Sequence, residues 1–278
     1  MTDRPRLAPR TGINNQTVPA ASAVEVIEGA ARHGLGCVEL TGEVLAQDPD
    51  GVPATLREQG VRLLGVSPTK ALHGWHVQWD EQVGAGMRSE MQAAATAGAE
   101  FFVMPFMRPG GDADTVTAGL RRAVPIAREA GLRLAVEPIG HHEVLRRAEQ
   151  LAPVLARLDQ DVIGVLLDSF HFFRSGQSLE DLRHLDGVDV LAFQVSNAND
   201  RPVPELLGYR DRTFPLDGPF DVAGLCGQVA RRWPNAPIVV EVIGEVAAAT
   251  PTATGLQRAA TQLRMLTELI TREDARLV

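Results

Sequence analysis

Lysine is nearly absent from this chain of 278 residues: of 27 Lys+Arg, Lys70 alone is lysine, so Schiff-base chemistry has a single possible nucleophile. Cysteine is scarce as well. Cys37 and Cys226 fall in ordinary element interiors, which excludes a disulfide framework and a cysteine-based zinc site and makes a reducing cytoplasm the simplest compartment. The opening stretch MTDRPRLAPRTGINNQ lacks the apolar core of a secretory signal, and no later run reaches the ~20 apolar residues of a membrane span. An unexported protein with no membrane partner is expected. Basic excess is missing too: 35 Asp+Glu against 27 Lys+Arg leave a formal charge of -8, the wrong sign for a surface that tracks phosphates, so no nucleic-acid partner is expected.

What is present is an even mix of 45% hydrophobic and 22% charged residues, enough to bury a sizeable core. Short apolar runs alternate with longer Ala/Arg/Glu-rich amphipathic stretches, the βα pattern. The runs are Gly12 to Asn14, Gly36 to Leu40, Val61 to Val66, Phe101 to Met104, Leu132 to Glu137, Val162 to Asp168, Val188 to Val195 and Ile238 to Val242. Helices are predicted around residues 20–34, 53–60, 80–98, 113–130, 143–158, 178–185, 219–233 and 253–273. Eight strands each followed by a helix predict a single (β/α)8 TIM barrel spanning residues 1–278, near the usual ~250 residues of that fold. An open doubly wound sheet would normally carry a G-x-G-x-x-G turn after its first strand, and none opens a helix here. Residues 197–219 form a long connection after the seventh strand, a length usually tied to function.

Four polar residues interrupt otherwise apolar strand ends: Glu137, Asp168, Gln194 and Glu241. Each alone has an ordinary explanation as a cap, a core amide or an arginine partner. Together they lie at the C-terminal ends of the fifth to eighth strands, the face that carries barrel active sites. Three carboxylates brought close without compensation repel one another, and a divalent cation removes the conflict. All four side chains offer oxygen, a hard donor set that suits Mn²⁺ or Mg²⁺ better than Zn²⁺. Mn²⁺ is the expected ion, with Mg²⁺, Co²⁺ or Zn²⁺ as the alternatives.

With VEPIGHH around Glu137, the Asp-x-x-His pair of LLDSFHFF at Asp168 and His171, FQVSNA at Gln194 and VVEVIG at Glu241, nearly the whole chain resembles the xylose isomerase-like barrels. That family includes sugar isomerases and epimerases, inosose dehydratase, hydroxypyruvate isomerase and dehydroshikimate dehydratases. The resemblance implies that a hydroxyl and an adjacent carbonyl of the substrate chelate the metal, and that a metal-bound glutamate removes an α-proton to give an enediolate. Glu137 and Glu241 are then the acid/base pair, and His171 donates to a substrate oxygen. Arg212 matches an arginine placed before a Phe-Pro turn and suits an anionic substrate end, with Arg210 as the alternate. His142 is a further candidate at the mouth, whereas His141, His73 and His76 are left out. Trp75 and Phe106 read as an apolar wall or a subunit contact. Two departures stand out: Asn197 replaces a frequent acidic residue, and TFPLDG from Thr213 to Gly218 replaces a commoner turn.

The resemblance therefore implies a metal-dependent isomerase or epimerase of a small polyhydroxylated carbonyl compound. The alternative is a dehydratase of a cyclic β-hydroxy ketone such as 3-dehydroshikimate or an inosose, for which Gln194 and DSFH speak. An abasic-site nuclease would need a histidine-rich zinc cluster and a basic face, both missing, and a binding-only barrel would not need four intact ligand positions. The expected partner is a small-molecule substrate, and the expected assembly is a homo-oligomer, dimer or tetramer.

Overall fold

In the computed structural model, which describes residues 10–143 and 145–276, the apolar runs become strands in the order read from the sequence. They are β1 (Thr11–Asn14), β2 (Cys37–Thr41), β3 (Arg62–Ser67), β4 (Phe101–Pro105), β5 (Arg133–Glu137), β6 (Ile163–Asp168), β7 (Val190–Val195), the two-residue β8 (Asn197–Ala198) and β9 (Arg212–Thr213), and β10 (Ile238–Val240). Eight of them, β1 to β7 and β10, close a parallel barrel in which β10 lies between β7 and β1. The expected (β/α)8 TIM barrel is the fold.

Burial on both faces explains why these strands read as continuous apolar runs rather than alternating ones. Inward side chains, among them Leu64, Phe101, Val103, Leu166 and Val239, fill the barrel, and outward ones join the helices in the larger core. Gly65 is small because the Phe101 ring occupies its place: a Cβ there would lie 2.1 Å from that ring.

Helices cover the strands at Ala23–Arg32, Gly51–Gln59, Glu81–Thr96, Ala113–Ala130, Ala148–Leu155, Val222–Arg232 and Thr252–Arg276. Their starts carry the expected chemistry. Ser22 and Glu25 form a reciprocal capping box, and Asp80, Asp112 and Asp221 each accept a backbone N–H of the following turn. Position 144 of the predicted helix 143–158, and the ends 1–9 and 277–278 of the predicted domain, lie outside the described residues. Among the described residues, no helix is long and apolar enough to cross a membrane. Both thiols, Cys37 and Cys226, are free and buried.

Three departures from the expected layout bear on the site. The last strand stops at Val240, so Glu241 follows it, although its N–H still donates to Val195 O at 3.1 Å. A short helix, Ser169–Arg174, precedes the helix predicted at 178–185, which forms as a 3-10 helix, Leu179–Leu185. The segment 197–219 is structured: β8 and β9 pair antiparallel, with a 3-10 turn at Val203–Glu205 between them. Asn197 organises this excursion, donating to Pro215 O and Phe220 O and accepting from the backbone N–H of Ala198 and Phe220.

Candidate active site

Parallel register places the polar residues. Asp168 and Gln194 are direct partners between β6 and β7, Glu137 ends β5 opposite Pro105, and Glu241 follows β10 beside β7. All four are buried. Gln194 Nε2 donates to Glu241 Oε1 at 3.1 Å, and Arg212 Nη1 reaches both Asp168 Oδ2 at 2.6 Å and Glu241 Oε2 at 3.3 Å. One ligand atom each from Glu137, Asp168 and His171 lie within 4.8 Å of one another. The strand ends thus draw the four predicted residues into one connected cluster.

The cluster holds a fourth carboxylate that the sequence reading passed over. Glu39 of β2 is 1% exposed, and its Oε2 accepts from Gln194 Nε2 at 2.6 Å and Asn14 Nδ2 at 3.2 Å. The signal was there in GCVEL, a carboxylate inside an apolar run just like Glu241 in IVVEV.

Burial and mutual repulsion shape the ionisation. Burial, then the nearby Glu241 and Asp168, push the Glu137 carboxyl well above the usual carboxylate range. Burial raises Glu241 to about 8 against the opposing pull of Arg212, and raises Glu39 to about 7. Asp168 behaves differently: burial would raise it, but Arg212 outweighs that and holds it below the ordinary value. Arg212 itself, despite a burial that disfavours its charge, is held protonated by Asp168 and Glu241. Four buried carboxylates around one arginine leave an excess of negative charge, which must be met by bound protons or by a cation. Gln194 Oε1 and Glu39 Oε1 are buried with no hydrogen-bond partner. This donor set fits a divalent ion.

Several predicted residues are placed differently from expectation. Arg212 is not a loop arginine reaching outward: it is 1% exposed, its Nε donates to Gly208 O and its Nη1 is taken by Asp168 and Ser196. Burial lowers His171 to about 3, so the ring is neutral; its Nε2 accepts from Arg212 Nη2 at 3.1 Å, which puts the ring proton on Nδ1, buried without a hydrogen-bond partner. The same nitrogen lies 3.8 Å from Glu137 Oε1, so an imidazole does stand among the oxygen donors. His142 turns away from the mouth, buried against His76 and Phe106 with Nε2 3.2 Å from Arg108 O. It is His141, left out of the sequence reading, that lines the cavity, because neighbouring side chains in a tight turn point apart. Trp75 and Phe106 form neither a wall of the cavity nor a surface patch; both are core, and Trp75 Nε1 donates to Pro105 O. The alternate, Arg210, pairs with Asp211.

Above the cluster opens a cavity of about 170 Å³ with Glu137, His171, Arg212 and Glu241 at its buried end and Lys70, His73, Met107 and Tyr209 toward its rim. Gly208 passes over the His171 ring, where a Cβ would come within 2.9 Å of Cε1. The cavity can therefore seat a small molecule directly against two glutamates.

A family model described as xylose isomerase-like TIM barrel matches residues 27–269. The chain belongs to this family. Among curated relatives, inosose isomerase of Bacillus licheniformis is 34% identical over 98 residues, 35% of this chain and 35% of its own length. The 3-dehydroshikimate dehydratase of Pseudomonas aeruginosa is 29% identical over 134 residues, 48% of this chain but 21% of that protein. Both alignments thus span about a third or less of the curated relatives. A crystal structure of the IOLI protein with a binding zinc atom superposes at a TM-score of 0.80 with 19% identity, covering 93% of this chain and 98% of that one. That likeness shows the xylose isomerase-like fold.

Proposed function

We propose that this xylose isomerase-like protein is a divalent-metal-dependent isomerase or epimerase of a small polyhydroxylated carbonyl compound, working by removal of an α-proton. The observation that carries the reading is the placement of Glu137 and Glu241, both buried and both raised in proton affinity, on one cavity of about 170 Å³. Burial and mutual repulsion raise both carboxyls in the metal-free protein and a bound cation lowers them again; the two groups facing one cavity are placed to act as base and acid on a bound substrate. One glutamate takes the carbon-bound proton and the other returns a proton: to the opposite face of the same carbon in an epimerase, or to the neighbouring carbon in an isomerase, where a second proton passes from the hydroxyl oxygen to the former carbonyl oxygen. Arg212 keeps its charge throughout and limits how strongly the two glutamates repel each other. Glu137, Asp168, Gln194 and Glu241 would hold the ion, with His171 Nε2 within reach of the same group. When bound, a divalent ion supplies polarisation of the substrate carbonyl. The three carboxylates and the amide favour Mn²⁺, while the nearby imidazole raises the competitiveness of Co²⁺ and Zn²⁺. The two free, buried thiols suit a cytoplasmic setting.

A dehydratase acting on a cyclic β-hydroxy ketone is the second reading, favoured by the 134-residue alignment with 3-dehydroshikimate dehydratase. Both readings begin with the same proton removal and differ in whether a hydroxyl leaves afterwards. The Mn²⁺-loaded protein is incubated with candidate ketoses, inososes and 3-dehydroshikimate in D₂O and followed by NMR. Deuterium at the carbon α to the carbonyl with an intact skeleton supports the isomerase, and loss of water with a new conjugated absorbance supports the dehydratase. Turnover that leaves every carbon-bound hydrogen in place overturns both.

A further inference from the structure

We infer that Glu39 sets which way the Gln194 amide faces, so that its carbonyl oxygen and not its NH₂ group is offered to the cation; this rests on the metal centre proposed above. Of the two ends of a glutamine amide, only the oxygen can coordinate a cation, and the two ends have nearly the same shape. Packing alone does not choose between them. The choice must come from hydrogen-bond partners, and here both partners of Nε2 are carboxylate oxygens: Glu39 Oε2 at 2.6 Å and Glu241 Oε1 at 3.1 Å. An ionised carboxylate, the form that a nearby divalent cation favours, only accepts, so each then rewards the NH₂ end and rejects the carbonyl end. With each amide proton given an acceptor, Gln194 Oε1 is left buried and unpartnered.

Glu39 is the partner with no other task at the site. It does not line the cavity, it sits at 1% exposure on β2, and it reaches Gln194 across the barrel from 155 positions earlier in the chain. Asn14 Nδ2, donating to the same Oε2 at 3.2 Å, holds the carboxylate in place from β1. Ligand side chains are commonly oriented by such outer partners, whose loss costs about 10–100-fold in metal affinity. Glu39 is a positioning residue: it acts through Gln194 and does not itself touch the substrate.

The test uses the full chain stripped with chelator, Mn²⁺ alone as the probe, and two variants, Glu39→Gln and the apolar, similarly sized Glu39→Met. Calorimetry should show Mn²⁺ affinity falling about 10–100-fold in Glu39→Met. Glu39→Gln should stay close to the parent protein, because its own carbonyl still accepts from Gln194. Equal losses in both variants would assign the effect to the charge of Glu39 and overturn the inference, as would no loss in either. The metal-free proteins supply a second readout in the side-chain amide protons of Gln194, assigned by their disappearance in Gln194→Met. Both protons should resist solvent exchange in the parent and in Glu39→Gln and lose that protection in Glu39→Met. Rapid exchange in the parent overturns the tether even if Glu39→Met does not fold. Should the parent bind no Mn²⁺, the metal centre fails, and protection that survives Glu39→Met then overturns the orienting role separately.

Discussion

Arg212 Nη1 donates to Asp168 Oδ2 at 2.6 Å, and the two side chains are 1% and 0% exposed. A residue of the long excursion after β7 thus reaches back to the end of β6 and supplies the positive charge inside the carboxylate cluster. The contact ties the loop to the barrel and lets Asp168 stay ionised while Glu137 and Glu241 are pushed toward their neutral forms. Asp168 Oδ1 meanwhile accepts the backbone N–H of His171 and caps the short helix that presents the imidazole. One carboxylate therefore orders both the arginine and the histidine.

Removing that charge should be costly. Arg212→Met leaves the carboxylates of Asp168 and Glu241 buried without their cation, and breaking a buried pair from one side costs roughly 3–5 kcal/mol. Urea unfolding of the metal-free variant near neutral pH should show a loss of that order, partly recovered by saturating Mn²⁺, which replaces some of the missing charge. A variant as stable as the parent without metal would show that Arg212 is not the countercharge of the cluster.

The excursion should also respond to acid through Asp211. Its carboxylate accepts from Arg210, from Leu207 N at 2.9 Å and from Asn199 Nδ2 at 2.9 Å; burial opposes its charge, but these contacts win and hold it at about 2 against the ordinary 3.8. A depressed folded-state value means that the stabilisation is fully present above about pH 4 and is lost as the pH falls through about 2. Asp211→Asn should therefore be less stable than the parent by up to about 2 kcal/mol near neutral pH, with the gap closing through the acid range. Urea midpoints measured across that range check it, and a gap independent of pH would place the effect elsewhere.

The barrel was legible because its strands are buried on both faces and its helices are amphipathic, two patterns that survive in a single sequence. Glu137 and Asp168 were legible for the same reason, since each ends an apolar run where the strand meets the loop. Glu39 carries part of that sign, a carboxylate inside the apolar run GCVEL, but its partners, Asn14 and Gln194, come from the first and seventh strands, and only closure of the barrel brings them together. The direction of Arg212 was hidden too, because the ribbon of β8 and β9 that turns it inward consists of two residues on each side, too short to show a period. His141 and His142 adjoin in one turn, and which faces the cavity depends on backbone geometry that no residue type announces. The helix at Ser169–Arg174 fell below the length at which helical periodicity can be read.

Glu137→Gln and Glu241→Gln separate chemistry from folding. Each removes one acid/base group while relieving buried charge, so each should lower kcat/KM by about 10²–10⁴ while leaving the metal-free protein at least as stable as the parent. Solvent deuterium incorporation at the α-carbon should fall in step with turnover. Near-normal exchange in either variant would remove that glutamate from proton transfer.

Arg212 lines the cavity as the sequence led one to expect, but its donors are engaged, so Lys70 at the rim is the expected second contact for an anionic substrate end. Arg212 spends its donors on Asp168, Ser196, Gly208 and His171, whereas Lys70, the lone lysine of the chain, stands exposed at the rim of the same cavity. Its backbone is fixed by Glu43, whose Oε1 accepts from Lys70 N at 2.9 Å, leaving the long side chain to follow a ligand. An exposed ammonium is screened, so the contact is worth about 1 kcal/mol or less. Lys70→Met should then raise KM by up to roughly fivefold for a carboxylate-bearing substrate and leave kcat and Mn²⁺ affinity unchanged, the signature of binding lost equally in ground and transition states. Acetylation of the parent protein should reproduce this effect and add nothing to Lys70→Met. The decisive comparison sets 3-dehydroshikimate, which is anionic, against a neutral inosose of similar size. Equal changes in KM for the two would mean that Lys70 does not read charge; a change confined to the anionic compound would identify it as the rim contact for that group.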